Sequence, residues 1–414
     1  MSFPRDAGRV VIVGAGLAGF SAAQTLRSLG HEAPVTLVDA EPAAYDRPPL
    51  SKRLFANDFS LEDLAFSSPE KLSQAGIDTR FGQAVEAIDA ASVTVTLENG
   101  EVVEGDTLLL AIGGRARSLT VPGADLPGVR TLRTFDDAAA IRAHVRSGTR
   151  VAVIGAGLIG AELASALHLH GADVTLIDPA ETPLQPVIGS LLASHLHAMH
   201  SLRGIRVVTG LTERIETDGE AMTVVVDDGS VIPAELVVVG VGLVPNIELA
   251  AAAGLETDGG ILVDEHYRTS VPSVFAAGDV ARLRDSRGVL HRREEHWEAA
   301  QLSGQHAAHA MLGVDLPVRG ASWFWSDRHG IHLEASGRLH GDGEFVVRPG
   351  VHPAVFLVDE GLLVGVAAID DNNTVRAARR IIDQRIPVVA SDLADPSFAL
   401  RSMLRAERAK TRNA

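Results

Sequence analysis

The chain has 414 residues, 46% hydrophobic and 22% charged, a globular balance long enough for two or three domains with real cores. Its formal net charge of −16 argues against a nucleic-acid role driven by phosphate contacts. The absence of cysteine excludes disulfide staples, Cys-ligated zinc, iron–sulfur clusters on this chain and thiol redox relays.

No apolar run of about 18 residues is present, so no membrane span is expected. Residues 1–9 are short and polar and lack the apolar stretch of a secretory signal, which makes cytoplasmic the expected location. The first predicted element is a buried strand over residues 9–13, followed by Gly14, Gly16 and Gly19 and a helix over 20–29. At this spacing the first glycine permits a tight turn, the second lets backbone approach a pyrophosphate, and the third lets helix pack on strand. The helix N-terminus offers unpaired N–H groups and a positive dipole end. The next strand, 34–39, ends in Asp39, twenty residues after Gly19, where a carboxylate can accept from ribose hydroxyls. Glu41 is a rival for that role, its other reading being a solvated loop charge.

Residues 45–52, Tyr-Asp-Arg-Pro-Pro-Leu-Ser-Lys, carry two prolines that predict a stiff, non-helical backbone. The segment either presents Lys52 at a fixed place or is a simple turn. Segments 92–97 and 102–107 flank an Asn-Gly hairpin signal. An apolar strand over 108–112 returns to the parallel sheet. The Pro/Gly-rich stretch 115–128 reads as a crossing to another domain.

The opening pattern then recurs. A strand over 150–154 leads to Gly155, Gly157 and Gly160, a helix over 161–170 and a strand over 173–178 ending in Asp178. Two dinucleotide motifs in one chain predict two different dinucleotides, a flavin and a nicotinamide. Further strands are expected at 236–241, 260–263 and 274–280, the last carrying Ala277-Gly278-Asp279, before a helix over 296–311. Beyond Trp323, strand-like runs at 344–348, 354–358 and 361–368 and a helix over 375–383 predict an α+β domain, with a frayed tail over 404–414. His195, His197 and His200 do not share one helix face and read as solvated. His306 and His309 share a face but lack a third ligand and read as structural, so no metal site is expected. Arg292-Arg293 and Arg379-Arg380 are basic pairs that either steer an acidic partner or are surface charge without a role.

Together these features resemble the FAD-dependent NADH:ferredoxin reductases of oxygenase systems, the group of putidaredoxin reductase and biphenyl dioxygenase ferredoxin reductase. The matching residues are the first glycine motif, Arg47–Lys52, Leu132-Arg133-Thr134, the second glycine motif with Glu162, Gly240 to Asn246, Ala277-Gly278-Asp279 and Trp323 to Asp327. The resemblance covers nearly the whole chain. It implies an α/β, glutathione-reductase-like fold with two dinucleotide-binding domains and an α+β C-terminal domain. The corresponding division is an FAD domain over 1–114 and 243–320, an NAD domain over 115–242 and a C-terminal domain over 321–414.

Carried over residue by residue, the resemblance implies that Gly14, Gly16, Ala18 and Gly19 hold the FAD diphosphate. Asp39 would take its ribose, with Glu41 still in play, and Val85 would lie near the adenine. Lys52 would lie near the isoalloxazine ring, Arg133 would touch the cofactor, Asp279 would bind the ribityl or diphosphate region, and Trp297 would lie near the pyrimidine end. Gly155, Gly157 and Gly160 would face the nicotinamide nucleotide's diphosphate. Glu162 would approach the nicotinamide and pair with Lys52, its other reading being a carboxylate stabilised by the helix dipole. Asp178 would accept from a ribose 2′-OH and repel a 2′-phosphate. The loop over 179–185 has no arginine or lysine, so NADH is the expected donor. Many relatives carry arginines there.

Hydride transfer belongs to the cofactors and needs no obligatory acid–base side chain. Without cysteine, electrons must leave directly, most simply one at a time to an external one-electron carrier such as a small iron–sulfur protein; the resemblance implies a [2Fe–2S] ferredoxin that feeds a cytochrome P450 or a ring-hydroxylating dioxygenase. Trp297 and Trp325 are candidates to cover the flavin, Trp323 reading equally as core. The expected assembly is a monomer or homodimer without nucleic acid or membrane. The alternatives are a rubredoxin reductase or NADH oxidase on the same fold, and an apoptosis-inducing-factor-like flavoprotein that signals by NADH-linked conformational change.

Overall fold

The computed structural model describes residues 6–219 and 221–413, with side chains to residue 409. Residues 1–5 of the polar N-terminal stretch and Ala414 of the tail therefore lie outside the described residues. The chain divides into two compact units. The first comprises residues to Pro49, Asn57–Arg115 and Leu243–Arg319, and the second comprises Leu50–Ala56, Ala116–Gly242 and the chain from Gly320.

The first unit is built on a five-stranded parallel sheet in the order Val274–Ala276, Thr107–Leu110, Val10–Val13, Val35–Asp39, Ile77–Phe81. Its inner strands Val10–Val13 and Thr107–Leu110 are buried on both faces, which is why they read as nearly unbroken apolar runs, whereas the edge strand Ile77–Phe81 carries polar residues. Val10, Ile12, Leu37 and Leu109 feed one core, whereas Val11, Val13, Val38, Leu108 and Leu110 feed the other. After Val10–Val13 the chain steps outward twice and then returns on the opposite side. The carboxyl end of that strand is thus a topological switch point, where open α/β sheets bind ligands.

The second unit repeats this plan. Its parallel sheet runs Arg206–Thr209, Asp173–Asp178, Arg150–Ile154, Leu236–Val239, Val129–Thr131. Each parallel sheet is accompanied by a three-stranded antiparallel meander, Val85–Asp89, Thr94–Leu97, Val102–Glu104 in the first unit and Thr212–Thr217, Met222–Val226, Val231–Ala234 in the second. The second unit also contains a five-stranded antiparallel sheet, Trp323–Arg328, Ile331–Gly337, Leu362–Ile369, Ala354–Asp359, Glu344–Arg348. The helix Asn372–Asp383 packs on one face through Val375, Ala378 and Ile381. The helix Ser190–Leu202 covers the other through Leu192, Ala193 and Leu196.

Several expectations are corrected. Both glycine helices start earlier than predicted, at Leu17–Ser28 and Leu158–Leu169, because Gly16 and Gly157 are their N-caps. Residues Pro49–Lys52 form one helical turn instead of a non-helical loop, since a proline at the first helical position has no amide to lose. The tail is helical over Leu400–Asn413, not frayed, because Leu400 and Leu404 are buried in the C-terminal core. The hairpin Trp323–Arg328/Ile331–Gly337 was not foreseen; its two-residue turn, His329-Gly330, has positive φ at both positions, the geometry that matches strand twist. No described helix is long and apolar enough to cross a membrane.

Candidate functional site

The two glycine motifs fold into the same cradle. Gly14 and Gly155 both have φ +101, and a Cβ there would strike Ala111 O at 2.3 Å or Gly240 O at 2.4 Å. Gly19 and Gly160 sit in the first helical turn, where a Cβ would come within 1.9 Å of Gly14 O or Gly155 O. Gly16 and Gly157 differ: a Cβ on either meets nothing within 4 Å. The absence of a side chain there keeps space open at the helix N-terminus. Neither helix has a side-chain cap or an acidic residue in its first turn. The first intrahelical bonds are Phe20 N–H to Gly16 O and Ala161 N–H to Gly157 O, so the amides before them point into the open space. Such a donor set fits a dinucleotide diphosphate in both units.

Each cradle is tied shut by its strand-end carboxylate. Asp39 accepts from Ala15 N–H at 2.5 Å and Glu41 N–H at 2.8 Å. Asp178 accepts from Ala156 N–H at 2.7 Å and Ala180 N–H at 2.9 Å. Burial, only partly offset by the two amides, pushes the Asp39 carboxyl above its ordinary range. Glu41 turns elsewhere, pairing with Arg47 at 2.7 Å and accepting from Tyr45 Oη. Ala18 is buried, and the helix Trp297–Met311 approaches it so closely that a Cβ on Gly304 would lie 2.0 Å from Ala18 O. Trp297 opens that helix and donates Nε1–H to Asp46 at 2.8 Å. Asp279 lies in a single 3-10 turn whose Gly278 N–H donates to Ser303 Oγ at 2.9 Å. Arg293 donates to Asp279 O at 2.7 Å, so it is a structural member of this turn. Val85 begins its strand half-buried against the second core of the first unit.

In the second unit the predicted pair meets. Lys52 Nζ lies 2.8 Å from Glu162 Oε2, with Glu162 3% exposed and Lys52 16%. Ser51 Oγ donates to the same oxygen at 2.6 Å, and Ser326 Oγ donates to Oε1 at 2.6 Å. The Lys52 ammonium also lies 5.7 Å from the Trp325 ring, which stacks on Trp323 with centroids 5.0 Å apart. Arg133 precedes Thr134, the N-cap of Phe135–His144, and its N–H donates to Asp137 at 2.8 Å.

Sequence reasoning missed Ser51, Ser326 and Arg328. Period two puts Ser326 and Arg328 on the face of Phe324, which packs on the core, and buried polar residues there were the available signal. It also misread His200, which is 1% exposed, not solvated; its Nδ1 lies 2.9 Å from His329 Nε2. Burial lowers His200 to about 3 and His329 to about 4, so both are neutral at ordinary pH. His195 and His197 are half-buried. His306 is buried edge-on to Tyr267, and His309 bonds Gln305 O. Among the described residues no group of three or more such side chains is placed to hold a metal.

Removing one partner of a buried ion pair strands the other and costs about 3–5 kcal/mol. Lys52 retains some water, so Glu162→Gln is expected to destabilise the protein by about 2–3 kcal/mol, read from its denaturation midpoint. An unchanged midpoint would show that the ion pair contributes nothing to the fold.

The pyridine nucleotide-disulphide oxidoreductase model matches residues 8–304, and the reductase C-terminal model matches 323–404. The chain is 37% identical over 400 residues to rhodocoxin reductase of Rhodococcus erythropolis, covering 95% of this chain and 93% of that protein. It is 34% identical to the ferredoxin–NAD(+) reductase component of the biphenyl dioxygenase system of Paraburkholderia xenovorans, covering 96% of this chain and 98% of that one. A crystal structure of a covalent putidaredoxin reductase–putidaredoxin complex superposes with a TM-score of 0.91 at 32% identity, over 98% of this chain and 100% of its counterpart. Two glycine cradles, the carboxylates that close them and the C-terminal sheet thus coincide with both family models: the chain belongs to the pyridine nucleotide-disulphide oxidoreductases, in the group that carries a reductase C-terminal domain.

Proposed function

We propose that this protein passes electrons from NADH, through FAD, to a small [2Fe–2S] ferredoxin that feeds a cytochrome P450 or a ring-hydroxylating dioxygenase. It is an NADH-dependent flavoprotein oxidoreductase of the ferredoxin-reductase kind. The observation that carries the reading is two diphosphate cradles in a chain without cysteine. The disulphide chemistry in the family's name has no thiol here, so electrons must leave to an external carrier. Relatives named as ferredoxin reductases, and a matching structure with putidaredoxin attached, support a ferredoxin as that carrier.

In this reading the first cradle takes FAD, with Asp39 at the ribose, and the second takes NADH, with Asp178 at the ribose. FAD bound in the first cradle would supply an acceptor for the hydride of NADH and hand its two electrons on singly to two ferredoxins, the hydride's proton passing to solvent. The chain's own residues bind and orient. The first-turn amides hold the diphosphates, while Glu162 fixes the Lys52 ammonium against Trp325. No side chain need move a proton at the hydride step.

An NADH-driven assay with ferredoxins titrated against cytochrome c reduction tests this. Fast carrier-dependent reduction with slow oxygen consumption is expected. Equally rapid NADH oxidation by oxygen alone would overturn the carrier and favour an oxidase.

A further inference from the structure

Arg328 is a buried cation that the function described so far does not use. It is 4% exposed, and its Nε has no hydrogen-bond partner among the described residues. Burial lowers its pKa to about 10, which leaves it charged at neutral pH, and Glu162 is the opposing charge that favours that form. Its Nη2 donates to Ser326 Oγ at 2.9 Å. Burying an ion carries a large desolvation cost, and a buried ion pair is often no better for stability than apolar side chains of the same volume. Stability therefore does not account for this guanidinium.

The protons give the arrangement a direction. Arginine only donates, so the Ser326 hydroxyl accepts from Arg328 and must send its single proton to Glu162 Oε1, 2.6 Å away. The other oxygen, Oε2, takes Ser51 and Lys52. The carboxylate is thereby held from both ends. The arm is rigid, since its hairpin turn is fixed to two helices: His329 N–H donates to Ser165 Oγ at 2.7 Å, and His329 Nε2 meets His200.

We infer that Ser326 and Arg328 are positioning residues for the reaction proposed above, fixing the Oε1 end of Glu162 and through it the ammonium of Lys52. The C-terminal sheet then builds part of the reacting site. This rests on the reading that Lys52 and Glu162 lie at the reacting rings.

The test uses the FAD-loaded full chain with Ser326→Ala, Arg328→Met, the double variant and Arg328→Lys. The limiting rate of flavin reduction by NADH falls about ten- to a hundredfold in each of the first two, as for a small misplacement of reacting groups. The NADH dissociation constant from the same saturation curves changes little. The thermal midpoint of Arg328→Met falls less than that of Glu162→Gln, because Glu162 keeps Lys52, Ser51 and Ser326 when the guanidinium is gone. The double variant is no slower than the slower single one, because both act through one oxygen. Arg328→Lys recovers part of the rate. Wild-type limiting rates in either folded single variant, or losses that multiply in the double, would overturn the inference alone. A wild-type holoenzyme that NADH does not reduce would overturn the proposed function and this inference with it.

Discussion

Gly16→Asp is expected to give a folded protein that does not retain FAD, and Gly157→Asp one that keeps FAD but is no longer reduced by NADH. Both glycines have ordinary extended backbone, φ −60, ψ 177 and φ −65, ψ −167, so an aspartate enters without strain. Its Cβ would find open space in each case. Aspartate is also a favoured N-cap: its carboxylate would accept from first-turn amides and sit at the positive end of the dipole, worth about 0.3–1 kcal/mol to the apoprotein. The substitution thus improves the helix while taking the diphosphate's donors and adding a repelling charge. Neighbouring glycines allow no such separation. Gly19→Ala would put a Cβ 1.9 Å from Gly14 O and damage the fold together with the site. Visible flavin absorbance of the purified variants, with rapid mixing against NADH, reads the result. If Gly157→Asp instead lost the flavin and Gly16→Asp retained it, the two cradles would have the opposite cofactors.

Most of this architecture was legible because it rests on local rules. The two glycine motifs, their strand-end carboxylates and the long apolar strands are set by turn geometry and period within about 30 residues of sequence. Lys52 meeting Glu162 was readable only through resemblance, since 110 residues separate them. Ser326 and Arg328 were hidden for a related reason. Ser326 meets Glu162, 164 residues away in sequence, Arg328 reaches it through Ser326, and the hairpin carrying them turns on His329, a residue type that gives no strong turn signal despite its φ of +53. His200 was misjudged although it shares the buried helix face of Leu192 and Leu196; its partner there, His329, comes from a distant turn. The prolines at 48 and 49 were read as stiffeners alone, although a proline also opens a helix well, and the turn Pro49–Lys52 follows from that second property. Lone side chains brought together by distant segments are where sequence periodicity stops.

Exchanging Asp178 for Ala together with Thr182→Arg is expected to shift preference from NADH toward NADPH by about a hundredfold or more in the ratio of kcat/KM. A hydrogen bond to a charged group contributes about 1.5–3 kcal/mol, so loss of the carboxylate's bond to a ribose 2′-OH lowers NADH use about 10–100-fold. The same change removes the charge that opposes a 2′-phosphate, and the new guanidinium can bind that phosphate with two parallel bonds. Thr182 is half-buried and lines a cavity of about 630 Å³ with Ala180, Glu181 and Phe345, so an arginine there has room to extend. Asp178 has a second task, however. Its oxygens hold Ala156 N–H and Ala180 N–H and so tie the second glycine loop to the loop after the strand. Removing the carboxylate loosens that tie, and activity with both nucleotides falls below its best while the ratio moves. Asp178→Asn separates the two tasks, because its amide oxygen still accepts one of the two amides but no longer repels phosphate. Glu181 leaves one carboxylate on the cavity wall, so adding Glu181→Gln to the double variant raises NADPH use further. A fall in NADH activity with an unchanged NADH-to-NADPH ratio would leave Asp178 as a loop tie alone and remove it from nucleotide selection.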